Sequence, residues 1–138
     1  MRVSDCISCA GFPCADVEPA CHRIPGVDLD PEKVRLALVS EAAAADAADD
    51  YYAGSDAVFA HTTLHAFAAA GAGVTSIADL LAMGVYLTTA VKCGKTVYGI
   101  EAPTIRQCSL LLERELALFP NLRVILLKLS ECVTPSPR

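Results

Sequence analysis

Three short apolar segments constrain the fold of this chain more than any other feature of its sequence. They occupy residues 34–39, 85–91 and 122–127, and Val, Leu and β-branched or aromatic residues dominate each of them. Runs of this length and composition are typical of strands that are buried within a sheet. The sequence therefore predicts three strands, the first of them buried, separated by long connections.

The connections between these strands carry helix signals. Residues 59–70 contain good helix formers and no breaker before a glycine, and Ser76 with Asp79 forms an approximate capping box for a second helix. Residues 104–118, which follow a proline, form the clearest helical pattern. The order β-α-α-β-α-β predicts an α/β fold of three layers, α/β/α, around a central parallel sheet.

The 138 residues are typical of a single domain spanning residues 1–138. Residues 1–32 are predicted to be an irregular, cysteine-rich segment because prolines interrupt them, and residues 130–138 a disordered tail. Hydrophobic residues make up 54% of the chain, yet no apolar run approaches the roughly 18 residues that span a bilayer. The N-terminus also lacks the apolar stretch of a signal peptide, so we expect a cytoplasmic protein that does not bind membranes.

The net charge of −5 argues against broad electrostatic adhesion to nucleic acid, and charge alone would not suggest DNA. The cysteines are more informative, because they are odd in number and nothing indicates secretion. In a reducing compartment such groups bind metal more often than they form disulfides. Cys6 and Cys9 form a C-x2-C hook, which lets two thiolates of one turn bind a common centre. The remaining cysteines are Cys14, Cys21, Cys93, Cys108 and Cys132.

Four motifs follow one another along the chain, and their order and spacing are informative together. They are Cys6-Ile7-Ser8-Cys9, Ser40-Glu41-Ala42-Ala43, Val85-Tyr86-Leu87-Thr88-Thr89-Ala90-Val91-Lys92-Cys93, and Cys108-Ser109-Leu110-Leu111-Leu112-Glu113. In these motifs the chain resembles the iron–sulfur uracil-DNA glycosylases of bacteria and archaea. Those proteins carry an N-terminal C-x2-C, a strand ending in G-E-A-P-G, a strand reading V-Y-I-T-N-x-V-K-C and a helix with C-x-x-x-L-x-x-E. The resemblance covers most of the chain from Cys6 to Leu127.

The resemblance implies that Cys6, Cys9, Cys93 and Cys108 ligate a [4Fe–4S] cluster that ties the N-terminal segment to the sheet. A four-thiolate zinc site and simple buried thiols remain alternatives. Cys14 and Cys21 are left over in this assignment, and either could compete as a ligand.

The resemblance also implies a reaction on DNA that contains uracil or a related damaged base. Breaking the N-glycosidic bond creates positive charge on the sugar, which a carboxylate stabilises while it positions water. Glu41 matches the acid of the family motif, and Asp46 is the next candidate, with Asp49 and Asp50 nearby. A carboxylate in this position also often caps the following helix.

Base binding is assigned by the same resemblance. Phe59 best matches the ring that stacks on uracil, with Tyr51 and Tyr52 as rivals, although an aromatic residue there is also a common core residue. Thr89 stands where the family has an Asn that reads the uracil edge.

The chain departs from the family in three respects. Thr89 replaces the Asn, and Ser40 and Ala43 replace the Gly and Pro of the second motif. The family also has a His-Pro motif after the third strand, whereas this chain has no His after His65. The expected fold is therefore uracil-DNA glycosylase-like without the last strand. Two alternatives to a glycosylase stay open: a non-catalytic iron–sulfur or nucleic-acid-binding module on this fold, and a zinc-stabilised structural protein. The oligomeric state is unknown at this point.

Overall fold

The structure, a computed structural model, describes residues 1–9, 14, 17–18, 22–44, 46–54, 56–95 and 100–128. Its strands are β1 (Val17–Glu18), β2 (Leu36–Ala43), β3 (Val85–Lys95) and β4 (Val124–Lys128), and its α-helices are α1 (Val58–Ala69), α2 (Ile77–Ala82) and α3 (Ala102–Leu116). No helix in these ranges is both long and apolar enough to cross a bilayer.

The strands form one sheet in the order β1-β3-β2-β4. β2 lies in the middle and pairs in parallel with β3 and with β4, so that Leu36 lies opposite both Val85 and Val124. β1 adds a short antiparallel pair at the outer edge of β3. The three predicted strands are therefore confirmed as a parallel sheet with flanking helices, which is a small α/β fold, although β4 is exposed and only β2 and β3 are buried.

The alternation of side chains along β2 and β3 creates two separate cores. Ala37, Val39 and Tyr86 face one way and pack with α3 residues Leu112 and Leu116. The alternate residues of the two strands, which are Leu38, Val85 and Leu87, face the other way and pack against α1 and α2. Burial of both faces explains why these strands read as continuous apolar runs in the sequence.

The predicted helices are confirmed to within two residues at each end. The capping box is also confirmed: the Ser76 hydroxyl accepts from the Asp79 N–H at 3.1 Å, and an Asp79 carboxylate oxygen accepts from the Ser76 N–H at 3.2 Å. The predicted strands differ more, because β2 begins two residues later than predicted, at Leu36, and β2 and β3 continue to Ala43 and Lys95. Mutual pairing of β2 and β3 carries the strands past their apolar segments, across a register shift between Ala42 and Ala43.

β4 is the outermost strand at one edge of the described sheet. Val124, Ile125, Leu126 and Leu127 are all exposed, the last of them by 71%. The predicted disordered tail, residues 130–138, lies outside the described residues.

Candidate functional site

A small cavity lies near the carboxyl end of β2, the kind of position at which open α/β sheets bind ligands, and against the first half of β3. Its volume is about 10 Å³, which is room for about one water molecule. Its lining residues come from the segment before β2, the end of β2, the first half of β3 and the turn before α1: Arg23, Pro25, Ala43, Asp50, Tyr51, Tyr52, Leu87, Thr88 and Thr89.

Arg23 holds the two strand ends together from the N-terminal segment. Its backbone N–H donates to the Lys92 carbonyl at 2.6 Å, and its guanidinium donates to the Ala44 carbonyl. The residue thus fixes β3 and the residue after β2 to the segment that precedes both strands. It also places a positive charge beside the cavity.

Asp50 is the acid of this cavity. Burial raises the pKa of its carboxyl, although the Tyr51 N–H and the charges of Arg23 and Lys92 act in the opposite direction. A carboxyl with a perturbed pKa in a strand-end cavity is a candidate for acid–base or electrostatic chemistry. Asp50 follows a 3-10 turn, Ala47–Asp49, that carries the chain back toward the strand ends.

Two tyrosines separate this cavity from a larger cleft. Tyr51 and Tyr52 line both the small cavity and a cleft of about 480 Å³, whose far side is formed by Gly26, Ser76 and Ile77 among others. The Tyr51 hydroxyl donates to the Ser40 hydroxyl at 3.0 Å, and the Tyr52 hydroxyl donates to the Leu87 carbonyl at 2.8 Å. The cleft has the volume of a small-molecule site and one aromatic wall.

The structure places some of the predicted catalytic and base-binding residues at the small cavity and others away from it. Thr89 and Tyr51 line the small cavity, whereas Glu41, Asp46 and Phe59 are not among its lining residues. Glu41 is half-buried within β2, where the prediction had it just beyond the strand. Asp46 is exposed and accepts from the Ala48 N–H at 3.0 Å, so it caps the 3-10 turn.

Two of the predicted base-binding residues, Phe59 and Thr89, already have partners within the protein. Phe59 packs edge-on against Tyr51, with ring centroids 5.3 Å apart. The buried Thr89 hydroxyl donates to the Val91 carbonyl of its own strand at 2.8 Å. Arg23 was not predicted, because a single arginine in an irregular segment gives no signal of where it will lie.

A cluster of thiols lies on the α3 side of the same strand ends. Cys108 of α3 is buried with Ala42 and Val91, and Cys14 and Cys93 pack against this group. Burial raises the pKa of the Cys108 thiol, and the neighbouring Cys14 and Cys9 thiols raise it further. The Lys92 backbone N–H acts in the opposite direction by donating to the sulfur. All described cysteines are free thiols.

His22 borders this thiol cluster. Its Nδ1 lies 3.3 Å from the Cys93 sulfur, within hydrogen-bonding distance. Burial lowers the pKa of His22, and the positive charge of Lys92 lowers it further. A neutral imidazole beside a thiol can donate to it or accept from it, depending on the tautomer.

The predicted ligand set is only partly brought together. Cys9, Cys93 and Cys108 belong to the thiol cluster or interact with it, but Cys6 is exposed and its sulfur contacts the Arg2 carbonyl of its own turn at 3.5 Å. Cys21 and Cys132 lie outside the described residues. Within the described ranges, no three His, Cys, Asp or Glu side chains are spaced to hold a metal ion.

A buried ion pair supports the end of β3. Lys92 Nζ lies 2.5 Å from Glu115 Oε1, and both side chains are fully buried. The ammonium also donates to the Thr88 hydroxyl at 2.8 Å and to the Thr89 carbonyl at 2.5 Å. The other carboxylate oxygen accepts from the hydroxyls of Thr88 and Tyr86. The pair is therefore fully hydrogen-bonded, as a buried pair must be if it is not to destabilise the fold.

Comparison of the chain with protein-family models, with curated proteins and with solved structures found no match.

Proposed function

We propose that this protein is a member of the uracil-DNA glycosylase superfamily that hydrolyses the N-glycosidic bond of uracil, or of a related damaged base, in DNA. The observation that carries the proposal is the cavity at the strand ends, where the Asp50 carboxyl has a raised pKa beside Arg23 and two tyrosines. The four sequence motifs that resemble the iron–sulfur glycosylases support it. The charge of −5 requires that any DNA contact be local.

Asp50 is the residue to which we assign the central role. Hydrolysis replaces the bond between the sugar and the base with a bond to a water oxygen, through a sugar that carries positive charge. An ionised Asp50 would stabilise that charge, and the cavity beside it has room for the attacking water. Glu41, the acid of the family motif, remains the second candidate.

The cleft beside the tyrosines is the proposed position of the extruded base. A base that leaves the DNA stack needs a pocket with an aromatic surface. Tyr52, which is partly exposed, offers that surface in the 480 Å³ cleft next to Asp50, whereas Tyr51 lines the cleft but is only 1% exposed. Phe59 supports the Tyr51 ring from behind and is a positioning residue in this arrangement.

An iron–sulfur cluster is the proposed cofactor. Its ligands are thiolates, and the thiols grouped around Cys108 supply that donor chemistry. When bound, the cluster would cross-link the N-terminal segment to β3 and α3. The chain's own residues would carry out the reaction, since Asp50 and the tyrosines lie at the strand ends.

The proposal is tested by base release from a uracil-containing oligonucleotide, single-stranded and duplex, with alkaline cleavage of the abasic product. We expect Asp50→Asn to lower the rate at least about 100-fold, the usual effect of removing a charge-stabilising group. Asp46→Asn is the matched control, because that carboxylate caps a turn away from the cavity, and its rate should stay within about threefold. Full activity in Asp50→Asn would overturn the assignment of Asp50, and Glu41→Gln then tests the remaining acid.

A non-catalytic module that binds DNA is the second candidate. It is favoured by Thr89, whose hydroxyl is engaged with Val91 of its own strand, so that the amide which reads uracil in the family has no equivalent. Salt-dependent binding of the uracil oligonucleotide without any abasic product would support this candidate over the enzyme. Stoichiometric zinc in place of iron, with neither binding nor release, would indicate a structural protein.

A further inference from the structure

β4 is an apolar edge strand whose outer side has no neighbouring strand among the described residues. Its side chains at Val124, Ile125, Leu126 and Leu127 are between 43% and 71% exposed. Proteins usually protect such an edge with charges, with proline or with a covering element, because an open edge pairs readily with another strand. Residues 124–127 contain neither a charge nor a proline. The edge is therefore suited to pairing.

The backbone of β4 presents two residues to this open side. The Val124 N–H donates to the Arg35 carbonyl at 3.1 Å. Because every second residue of a parallel strand bonds to the same neighbour, Val124 and Leu126 direct their N–H and C=O groups toward β2. Ile125 and Leu127 therefore direct theirs outward, away from the sheet.

These two outward residues match a second copy of the same strand. When two copies run antiparallel about a two-fold axis at Leu126, Ile125 of each copy lies opposite Leu127 of the other. Residues in such a hydrogen-bonded pair exchange both backbone bonds, so the outward N–H groups of both copies find carbonyl acceptors. The side chains that meet across the pair are all apolar, which stabilises the pairing.

The distribution of charge favours this register. The chain has a net charge of −5, so two copies repel each other unless they meet at a surface that carries little charge. Lys128 is the only charged residue of β4, and its ammonium donates to the Thr63 hydroxyl of its own chain at 3.3 Å. With the axis at Leu126, Lys128 lies opposite Val124 of the other copy. No like charges of β4 therefore face each other.

An apolar groove extends this surface from β4 to α1. Its volume is about 420 Å³, and Thr62, Ala66 and Phe67 of α1 line it together with Leu38 and Leu126. Residues 58–69, which form α1, include no Asp, Glu, Lys or Arg. A stable interface buries about 800 Å² per partner, which is more than one short strand supplies. The groove and the uncharged helix enlarge the apolar surface beside the axis.

We propose that this protein is a homodimer in which the β4 strands of two copies pair antiparallel about Leu126. One sheet then runs through both copies, with the two α1 helices on the same face of it. A two-fold arrangement closes at two copies and leaves neither β4 edge open. The proposal is independent of the activity and the cofactor proposed above.

Sedimentation equilibrium of the full chain under reducing conditions tests the dimer. We expect twice the mass of one chain, with dissociation on dilution. Leu126→Lys brings two ammonium groups together at the axis and should raise the dissociation constant at least about 10-fold. Met83→Lys is the matched control, because that side chain is 55% exposed but precedes β3, which β2 separates from β4, and its constant should stay within about threefold of wild type. A single-chain mass at every concentration, or a Leu126→Lys protein that dimerises like wild type, would overturn the proposal.

Cross-linking of Leu126→Cys tests the register. In a non-hydrogen-bonded antiparallel pair the Cα atoms lie about 4.5 Å apart, which is within the range of a disulfide. Diamide, which takes up the two hydrogens of the thiols, should join two copies through the introduced sulfurs, as mapped by mass spectrometry. Leu127→Cys should link less, because its equivalent in the other copy lies diagonally across the pair, and wild type shows the contribution of the native cysteines. Equal linking in Leu126→Cys and Leu127→Cys would contradict the register.

Amide hydrogen exchange distinguishes a second copy from other occupants of the edge. We expect the Ile125 and Leu127 amides to be protected in the dimer and to lose protection on dilution. Protection in a monomer would mean that another segment of the same chain covers β4. Free exchange in a monomer would mean that the edge is open to a different protein, and either result overturns the homodimer.

Discussion

Replacement of Lys92 by methionine should destabilise the fold strongly. Methionine keeps most of the volume of the side chain but removes the ammonium that contacts Glu115, Thr88 and Thr89. Glu115 would keep its two hydroxyl donors and lose its counter-charge in a site without solvent exposure. Breaking a buried ion pair from one side costs about 3–5 kcal/mol, a large share of the 5–15 kcal/mol that typically stabilises a domain.

Urea and thermal unfolding followed by far-ultraviolet circular dichroism measure this loss. For a chain of this size the melting temperature should fall by about 10–20 °C. The double variant Lys92→Met/Glu115→Gln should be at least about 1 kcal/mol more stable than the sum of the two single effects, because it leaves no unpaired charge. The exposed Lys33→Met is the matched control and should change stability by less than about 0.5 kcal/mol. A Lys92→Met protein within about 1 kcal/mol of wild type, or strict additivity of the pair, would refute the reasoning.

Three further outcomes follow from single residues. Asp50→Asn should raise the melting temperature at pH 7 while it abolishes base release. Because the pKa of Asp50 is raised, the folded state disfavours its ionised carboxyl, and the gain in melting temperature should vanish as the pH falls to about 3.8, the ordinary pKa of the group. A difference in melting temperature between variant and wild type that did not change with pH would contradict this explanation. The Leu127 side chain is 71% exposed on the edge strand β4. Leu127→Lys should reduce self-association, measured by light scattering, and change the free energy of unfolding by less than about 0.5 kcal/mol. Gly84→Ala should lower the free energy of unfolding in urea by about 2–4 kcal/mol, because φ is +88° and a Cβ would lie 2.6 Å from the Lys33 carbonyl oxygen. Gly71→Ala is the control: φ is +98° but the space is open, so the loss should be only about 1 kcal/mol. Equal losses in the two variants would show that the clash at Gly84 has no effect.

The layout of the fold could be predicted because each element carries its own signal. Apolar segments of strand length alternate with helices, and the Ser76–Asp79 capping box marks the start of α2. The true ends of the strands could not be predicted in the same way. Ala42 and Ala43 have no preference for strands, and they are drawn into β2 by pairing with Val91 and Gly94 of β3.

The candidate site was harder to predict from the sequence, because its residues are far apart along the chain and meet only in the folded structure. Asp46, Asp49 and Asp50 lie in one acidic stretch, and the sequence alone does not distinguish their roles. The 3-10 turn that Asp46 caps brings Asp50 to the cavity and leaves Asp46 in solvent. Sequence reasoning placed Glu41 first and Asp46 next because they lie in or near the family motif, whereas the turn decides which carboxylate of the acidic stretch lines the cavity.

Lys92 links the strand-end cavity to the thiol cluster, which gives a physical reason for a lysine between Val91 and Cys93. Its backbone N–H donates to the Cys108 sulfur, and its carbonyl accepts from the Arg23 N–H at 2.6 Å. Its side chain is meanwhile fixed to Glu115 in the core. Any shift of β3 that moved Cys93 would therefore strain the ion pair and the Arg23 contact together. A metal bound by these thiols, as proposed above, would therefore be coupled to the order of the Asp50 cavity through one residue, and Lys92→Met should lower metal retention as well as stability.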